Sequence, residues 1–284
     1  MMNKIINTSI LHNMESINII SGKALYTTKG AAYEYAPVGC NFYVGCSNLC
    51  RYCYLGKGVL KKAMGTGTPQ LKKCFKNVKD AFDVFRKEAT ENLKTLKKTG
   101  IFFSFSTDPL LPECQKLTWL SAEIATLSDI PVKILTKSTE FFRDYGPYLQ
   151  NLSSKQKDII SFGFTLTGRD DWEPNAPSNQ ERIDTMRMVN GWGYKTFASI
   201  EPVIDFDSSL RMINETKDFC SWYGIGLMTK NGMRYDINEA RTFYDKVQMI
   251  IPANNIYWKN SFQKLFPKDN SPEFNKPQNR PAIP

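Results

Sequence analysis

The chain is predicted to be an α/β protein built as a partial (β/α)6 barrel of the TIM type. Three features predict this. From about residue 36, short apolar runs alternate with longer stretches of helical spacing. The apolar runs are near-continuous rather than alternating, as in a parallel sheet covered on both faces. Such units predict right-handed crossovers and either a barrel or an open doubly wound sheet, and six of them, fewer than the eight of a closed barrel, make a partial, open barrel the natural compromise.

Strands are expected at 37–44 (PVGCNFYV), 100–107 (GIFFSFST), 130–138 (IPVKILTKS), 158–168 (DIISFGFTLTG), 194–203 (YKTFASIEPV) and 222–229 (WYGIGLMT). Helices are expected at about 70–97, 115–127, 140–152, 178–191, 207–219 and 237–249. Residues 1–35 read as an N-terminal extension, 36–252 as the barrel, and 253–284 as a largely irregular C-terminal extension. The last of these ends in the Pro- and Asn-rich stretch KDNSPEFNKPQNRPAIP.

With 42% hydrophobic and 23% charged residues in 284, the composition is that of a soluble globular protein with a sizeable core. No run of about 18 apolar residues is present, and the N-terminus lacks the apolar core of a signal peptide. No membrane association and a cytoplasmic location are expected. The net charge of +9 fits a polyanionic partner such as nucleic acid, or solubility alone. Much of it lies in KKCFKNVKDAFDVFRKEATENLKTLKK, which reads as a solvated helix face. The single histidine, His12, leaves a Ser-His-Asp triad, an H-E-x-x-H zinc site and a two-histidine iron site without support. The chemistry must come from cysteines, carboxylates and a cofactor.

Seven cysteines are present, and Cys40, Cys46, Cys50 and Cys53 fall within fourteen positions. The last three are spaced C-x3-C-x2-C in the loop after the first strand, on the face where βα folds build their sites. Three thiolates there could bind zinc with Cys40 as a fourth ligand, or be core or disulfide cysteines. Alternatively they hold a four-iron cluster with one iron left open for a substrate or cofactor, whereas electron carriers use four thiolates. Asp108 and Glu201 sit at predicted strand ends and could accept a proton or bind cofactor or substrate. The plainer roles are a turn cap before Pro109 for Asp108 and an ion pair for Glu201. Cys40, Cys74 and Cys220 are expected to be core thiols.

C-x3-C-x2-C with Tyr52 before the third cysteine resembles the signature of radical SAM enzymes. KGAAYEYAPVGCNFYVGCSNLCRYCY (29–54) resembles the entry segment of the spore photoproduct lyase-like, or DNA repair photolyase-like, group. FSFSTDP (103–109), KILTKS (133–138), FRD (142–144) and FTLTG (164–168) extend the likeness over roughly residues 25–205. SIEPV (199–203) and YWKN (257–260) are similar to stretches of phage-encoded radical SAM proteins.

The resemblance implies a partial barrel of the radical SAM kind. It implies a [4Fe-4S] cluster on Cys46, Cys50 and Cys53, with S-adenosylmethionine chelated at the open iron. Reductive cleavage to a 5′-deoxyadenosyl radical would follow, with hydrogen abstraction from a substrate, foremost a nucleic-acid base in DNA repair or modification. An electron donor such as flavodoxin or ferredoxin is implied as well. Tyr52 and Tyr54 would flank the adenine and ribose, Thr107 and Thr165 would offer hydroxyls, and Lys137 would pair with the cofactor carboxylate. Barrel packing is the other reading for Tyr54 and Thr165, and a solvated strand end for Lys137. The rival functions are radical modification of a peptide or small metabolite, and a non-catalytic metal-containing nucleic-acid-binding protein.

Two positions depart from the group's pattern. Asn48 stands where a histidine is common. Phe105 stands where the lyases carry a hydrogen-donating cysteine, which leaves Cys114 in DPLLPEC as the substitute thiol.

Overall fold

The computed structural model describes residues 19–65, 67–229, 233–267 and 271–274. His12 and most of the Pro- and Asn-rich tail lie outside the described residues.

In chain order the strands and helices begin with β1 (Leu25–Thr27), β2 (Val38–Cys40), β3 (Tyr43–Val44), α1 (Gly58–Met64) and β4 (Gln70–Leu71). Next come α2 (Val78–Glu91), α3 (Leu93–Thr99), β5 (Ile101–Phe103), α4 (Pro112–Leu127), β6 (Val132–Thr136), α5 (Glu140–Gln150), α6 (Ser154–Asp158) and β7 (Ile160–Thr165). The series closes with α7 (Asn179–Gly191), β8 (Lys195–Val203), α8 (Phe206–Thr216), β9 (Trp222–Leu227), α9 (Ile237–Ile250), β10 (Ile256–Trp258) and α10 (Asn260–Gln263).

Eight strands form one sheet in the order β1-β2-β5-β6-β7-β8-β9-β10. Only β1 is antiparallel to its neighbour; every other pair is parallel. The six predicted βα units are therefore present, from β2 to α9, and β10 adds a seventh parallel strand. The edge strands β1 and β10 do not pair with each other, so the barrel is partial. Glu34 spans the opening, its carboxylate accepting from the Asn260 N–H at 2.7 Å and the Tyr257 hydroxyl at 3.4 Å.

The helices start where side chains can take up their first N–H groups. Ser178 and Glu181 make a capping box on α7, as do Ser153 and Gln156 on α6. Asn77 caps α2 and Asp205 caps α8. The apolar side chains divide into two bodies. The larger lies between sheet and helices and includes Phe85, Phe103, Phe142, Phe162 and Ile225. The smaller fills the barrel interior with Ala36, Phe102, Phe197, Trp222 and Tyr257, edged by Tyr35, Phe105 and Leu135. Complete burial of each large side chain stabilises the fold by about 1.5–3 kcal/mol.

Several expectations are corrected. The strand expected at 37–44 ends at Cys40; Tyr43–Val44 pairs antiparallel with Gln70–Leu71 in a separate ribbon. The helix expected at 70–97 is two helices broken at Asn92, and its first residues belong to that ribbon. The strand expected at 100–107 stops at Phe103, and Ser104–Asp108 become a loop. Cys74 is exposed in the turn before the Asn77 cap, not a core thiol. Residues 253–267, expected largely irregular, open with a 3-10 turn and the strand and helix β10 and α10.

Candidate active site

Cys46, Cys50 and Cys53 lie on the loop leaving β3, at the carboxyl end of the parallel strands. Gly45 (φ 89°) and Leu49 (φ 47°) take left-handed backbone there. A turn places the Cys53 N–H on the Cys50 carbonyl at 3.0 Å. The loop is fastened from across the barrel. The Arg51 N–H donates to the Trp172 carbonyl, and the Asn175 amide donates to the Ser47 carbonyl, both at 2.9 Å. All three thiols are unbridged and half-buried. Burial, with Asp108 adding to it, pushes the Cys46 thiol up to about 12. Burial also raises Cys50, and the Lys137 ammonium pulls it back down.

Below this loop is a buried charged network. Glu173, between β7 and α7, has no accessible side-chain surface. It accepts from the Tyr52 hydroxyl and from Thr167 at 3.0 Å, and pairs with the fully buried Arg182. Lys137 stands 3.7 Å from Glu173 and 5.5 Å from the centre of the Tyr52 ring. Burial pushes the Glu173 carboxyl up, but Lys137, Arg182 and the Tyr52 bond outweigh it and hold the group below its usual range. Burial lowers Lys137, and Cys50 and Glu173 more than restore it, so it stays cationic. Arg182 also donates to the Thr165 carbonyl at 2.6 Å, fixing the end of β7. Lys137 is thus held in a charged site, not at a solvated strand end.

Asp108 is buried and accepts from Thr136 (2.5 Å), the Lys137 N–H (2.7 Å), Asn48 (3.1 Å) and the Leu110 N–H (3.2 Å). Four donors occupy its carboxylate, so it ties the thiol loop to β6 as a positioning residue and has no acceptor left for a substrate proton. Asn48, at the group's histidine position, supplies one of those ties. Thr107 is buried, its hydroxyl 3.8 Å from the Cys114 sulfur. Cys114 has no accessible surface and packs in the outer core. Burial pushes its thiol up to about 12. As a substitute hydrogen donor Cys114 is corrected to a core thiol, because it has no accessible surface from which to meet a substrate. Tyr54 is exposed and its hydroxyl donates to the Phe105 carbonyl. Phe105 stacks on Phe102 with centroids 4.6 Å apart.

Glu201, near the end of β8, faces the barrel interior. It pairs with Lys259 of the YWKN stretch and accepts from the Tyr35 hydroxyl at 2.7 Å. The ion pair expected for Glu201 is present. Glu173, Arg182, Tyr35 and Lys259 escaped sequence reading. Glu173 and Arg182 carry no motif, and Lys259 and Tyr35 lie in extensions read apart from the barrel.

Charge is segregated. Residues 35–79, which carry the thiol loop, contain eight Lys and Arg and no Asp or Glu, so the other 239 residues supply a single net charge of the +9. Arg51, Lys61, Lys62, Lys73, Lys76 and Lys79 of this segment are exposed. Leu49, Tyr54 and Val59 stand exposed among them.

Among the described residues, no three Cys, His, Asp or Glu side chains converge tightly enough to hold one metal ion. A single zinc with thiolates about 2.3 Å away requires that convergence. Cys40, its proposed fourth ligand, is fully buried in β2. A four-iron cluster takes its thiolates at separate corners of a larger body, so three thiols spread along one loop suit it. Among the described residues, no helix is long and apolar enough to cross a membrane.

No family model matches the chain. An uncharacterised protein of Methanocaldococcus jannaschii is 29% identical over 215 residues, 74% of this chain and 76% of that protein. Spore photoproduct lyase complexed with dinucleoside spore photoproduct superposes with a TM-score of 0.59 at 15% identity, over 81% of this chain and 78% of the lyase. A lyase variant with bound S-adenosylmethionine and the same dinucleoside gives 0.51 at 16% identity, over 82% of this chain. The chain spans 64% of the length of that structure. Streptococcus suis SuiB bound to S-adenosylmethionine gives 0.50 at 12% identity, over 72% of this chain and 45% of SuiB. The fold is thus the partial barrel that spore photoproduct lyase also has, in agreement with the sequence resemblance to radical SAM enzymes.

Proposed function

We propose that the chain is a radical SAM enzyme that acts on a nucleic-acid base. One observation carries the reading. Three unbridged, half-buried thiols lie on one loop at the carboxyl end of this partial barrel, beside a buried cation, Lys137. Cys46, Cys50 and Cys53 would hold a [4Fe-4S] cluster, and Lys137, Tyr52, Tyr54, Thr107 and Thr165 would line the place of S-adenosylmethionine. Cluster and cofactor, when bound, supply reductive cleavage to a 5′-deoxyadenosyl radical, with the electron coming from a donor such as flavodoxin or ferredoxin.

The protein's part is positioning. Lys137 offers a charge-assisted donor to a carboxylate, and Glu173 and Arg182 hold it in place. Tyr52, tied to Glu173, keeps its ring beside the third cysteine. Asp108 and Asn48 hold the loop against β6. The eight cations of residues 35–79 support a polyanionic substrate at this mouth of the barrel. Phe105 and the buried Cys114 leave the lyases' hydrogen return without its usual donor, so modification and repair of a base are separated by experiment.

Protein reconstituted anaerobically is given S-adenosylmethionine, dithionite and an oligonucleotide carrying the spore photoproduct. 5′-Deoxyadenosine is the expected product. Restored thymines would identify repair; cleavage without repair would direct the search to base modification. No cleavage by cluster-loaded protein, with any of these additions, would refute the proposal.

A further inference from the structure

We infer that Glu201 is a substrate-recognition residue, the acceptor for an N–H group of a pyrimidine or purine base, presented by Tyr35, Ser199 and Lys259. The inference deepens the reading above and rests on it for the nucleic-acid substrate.

Hydrogen bonds set the direction. The Tyr35 hydroxyl has one proton and gives it to Glu201 Oε2 at 2.7 Å. Ser199 Oγ, 2.6 Å from that hydroxyl, must therefore be its donor. The Lys259 ammonium also goes to Glu201 Oε2, and it lies 3.3 Å from the centre of the Tyr35 ring. Lys259 has no accessible side-chain surface, whereas Glu201 has 27% of its own. The Tyr35 hydroxyl and the Lys259 ammonium thus meet on one carboxylate oxygen. Among the described residues no hydrogen bond is given to Oε1.

Oε1 lies over Gly226, where an added Cβ would come within 2.7 Å of it. The glycine makes room for the carboxylate in the barrel. The Tyr54 hydroxyl donates to the Phe105 carbonyl, and the Phe105 ring stands beside Tyr35, the donor to Glu201, so the thiol loop and the carboxylate adjoin one another. A carboxylate with one oxygen saturated by a cation and a phenol, and the other open, takes a donor and rejects an acceptor. Tyr35 and Lys259 hold it rigid before any ligand arrives.

The wall beside it is flat and apolar. Phe105 is half-buried, stacked on Phe102 and with its centroid 6.2 Å from that of Tyr35. An aromatic face next to a lone acceptor fits a planar ring that carries an N–H at its edge. The cations of residues 35–79 fit the phosphates on which such a ring is carried. On this account Phe105, in the lyases' cysteine position, is a stacking surface. Glu201 of SIEPV and Lys259 of YWKN, far apart in the sequence, meet in one site.

The test uses the full reconstituted chain and single-stranded octamers of thymidine, deoxycytidine and deoxyadenosine, each beside a counterpart with no base N–H left: N3-methylthymidine, N4,N4-dimethyldeoxycytidine and N6,N6-dimethyldeoxyadenosine. Affinities are read at fixed salt. The wild type should bind at least one unmethylated octamer tenfold or more tightly than its counterpart. The ratio should fall to about one in the paired variant Glu201→Leu/Lys259→Met, which removes both charges together. It should fall also in Gly226→Ala, which keeps both charges but displaces Oε1. Thermal melts confirm that each variant is folded. No discrimination by the wild type, or discrimination unchanged in either folded variant, overturns the inference. Cofactor cleavage by the wild type, measured on the same preparation, tests the underlying reading separately.

Discussion

Glu173→Ala is the perturbation whose size follows most directly from the structure. The substitution removes a carboxylate with no accessible surface and leaves Arg182, equally inaccessible, with only the more distant Asp170, at 3.8 Å, as a counter-charge. It also strips the Tyr52 and Thr167 hydroxyls of their acceptor. Breaking one partner of a buried pair costs about 3–5 kcal/mol. For a chain of 284 residues that corresponds to a fall in Tm of roughly 5–8 °C. The paired variant Glu173→Ala/Arg182→Met removes both charges and should recover most of the loss. The pH dependence has a definite sign. Glu173 is held below its ordinary pKa in the folded state, so its stabilisation is complete above the unfolded value of about 4.3. It drains away as pH falls through the folded pKa. The stability gap between wild type and Glu173→Ala should therefore be full at neutral pH and narrow below about pH 4. Calorimetric or urea melts across pH measure it. A single variant within about 1 kcal/mol of wild type at pH 7 would mean that Arg182 is compensated elsewhere, and the network would lose its role.

Other consequences are simpler. Gly163→Ala would bring a Cβ to 2.2 Å from the Phe197 ring in the barrel interior, so it should cost about 1–3 kcal/mol by overpacking, read as a lower melting midpoint. Iodoacetamide at pH 8 should label Cys74 in the native protein and spare Cys114, whose thiol burial pushes up to about 12; rapid labelling of Cys114 would contradict its core placement. Lys137→Met removes the cation beside Cys50 and Glu173, and should weaken S-adenosylmethionine binding about tenfold or more while iron and sulfide content stays near wild type.

How much of this was legible in the sequence depended on range. The βα alternation reads from local pattern, and six predicted units appear between β2 and α9. Capping residues such as Ser178 and Asp205 mark helix starts to within a residue or two. The 70–97 stretch misled because Lys-rich helical spacing continues through Asn92 and back across Lys72 and Lys73, where chain pairing with β3 takes over. β10 was missed because a three-residue strand is too short to show a period, and it forms only by pairing with β9. In the candidate site, the spacing placed three cysteines on one loop, where the structure has them unbridged and half-buried. Glu173 did not, since its meaning comes from Arg182 and Lys137 arriving from other segments. Tyr35 and Lys259 come from opposite ends of the chain and meet only when the barrel forms. The charge segregation was present in the sequence throughout, but a whole-chain net charge averages it away.

The central claim is that Cys46, Cys50 and Cys53 together hold an iron–sulfur cluster that cleaves S-adenosylmethionine. Iron, zinc and acid-labile sulfide should be counted in anaerobically prepared wild type and Cys50→Ala, and 5′-deoxyadenosine measured after reduction with dithionite in the presence of the cofactor. About four iron and four sulfide per chain in the wild type, with cofactor cleavage that Cys50→Ala abolishes, is the predicted result. Zinc without sulfide in the wild type, or full cleavage by Cys50→Ala, would contradict it.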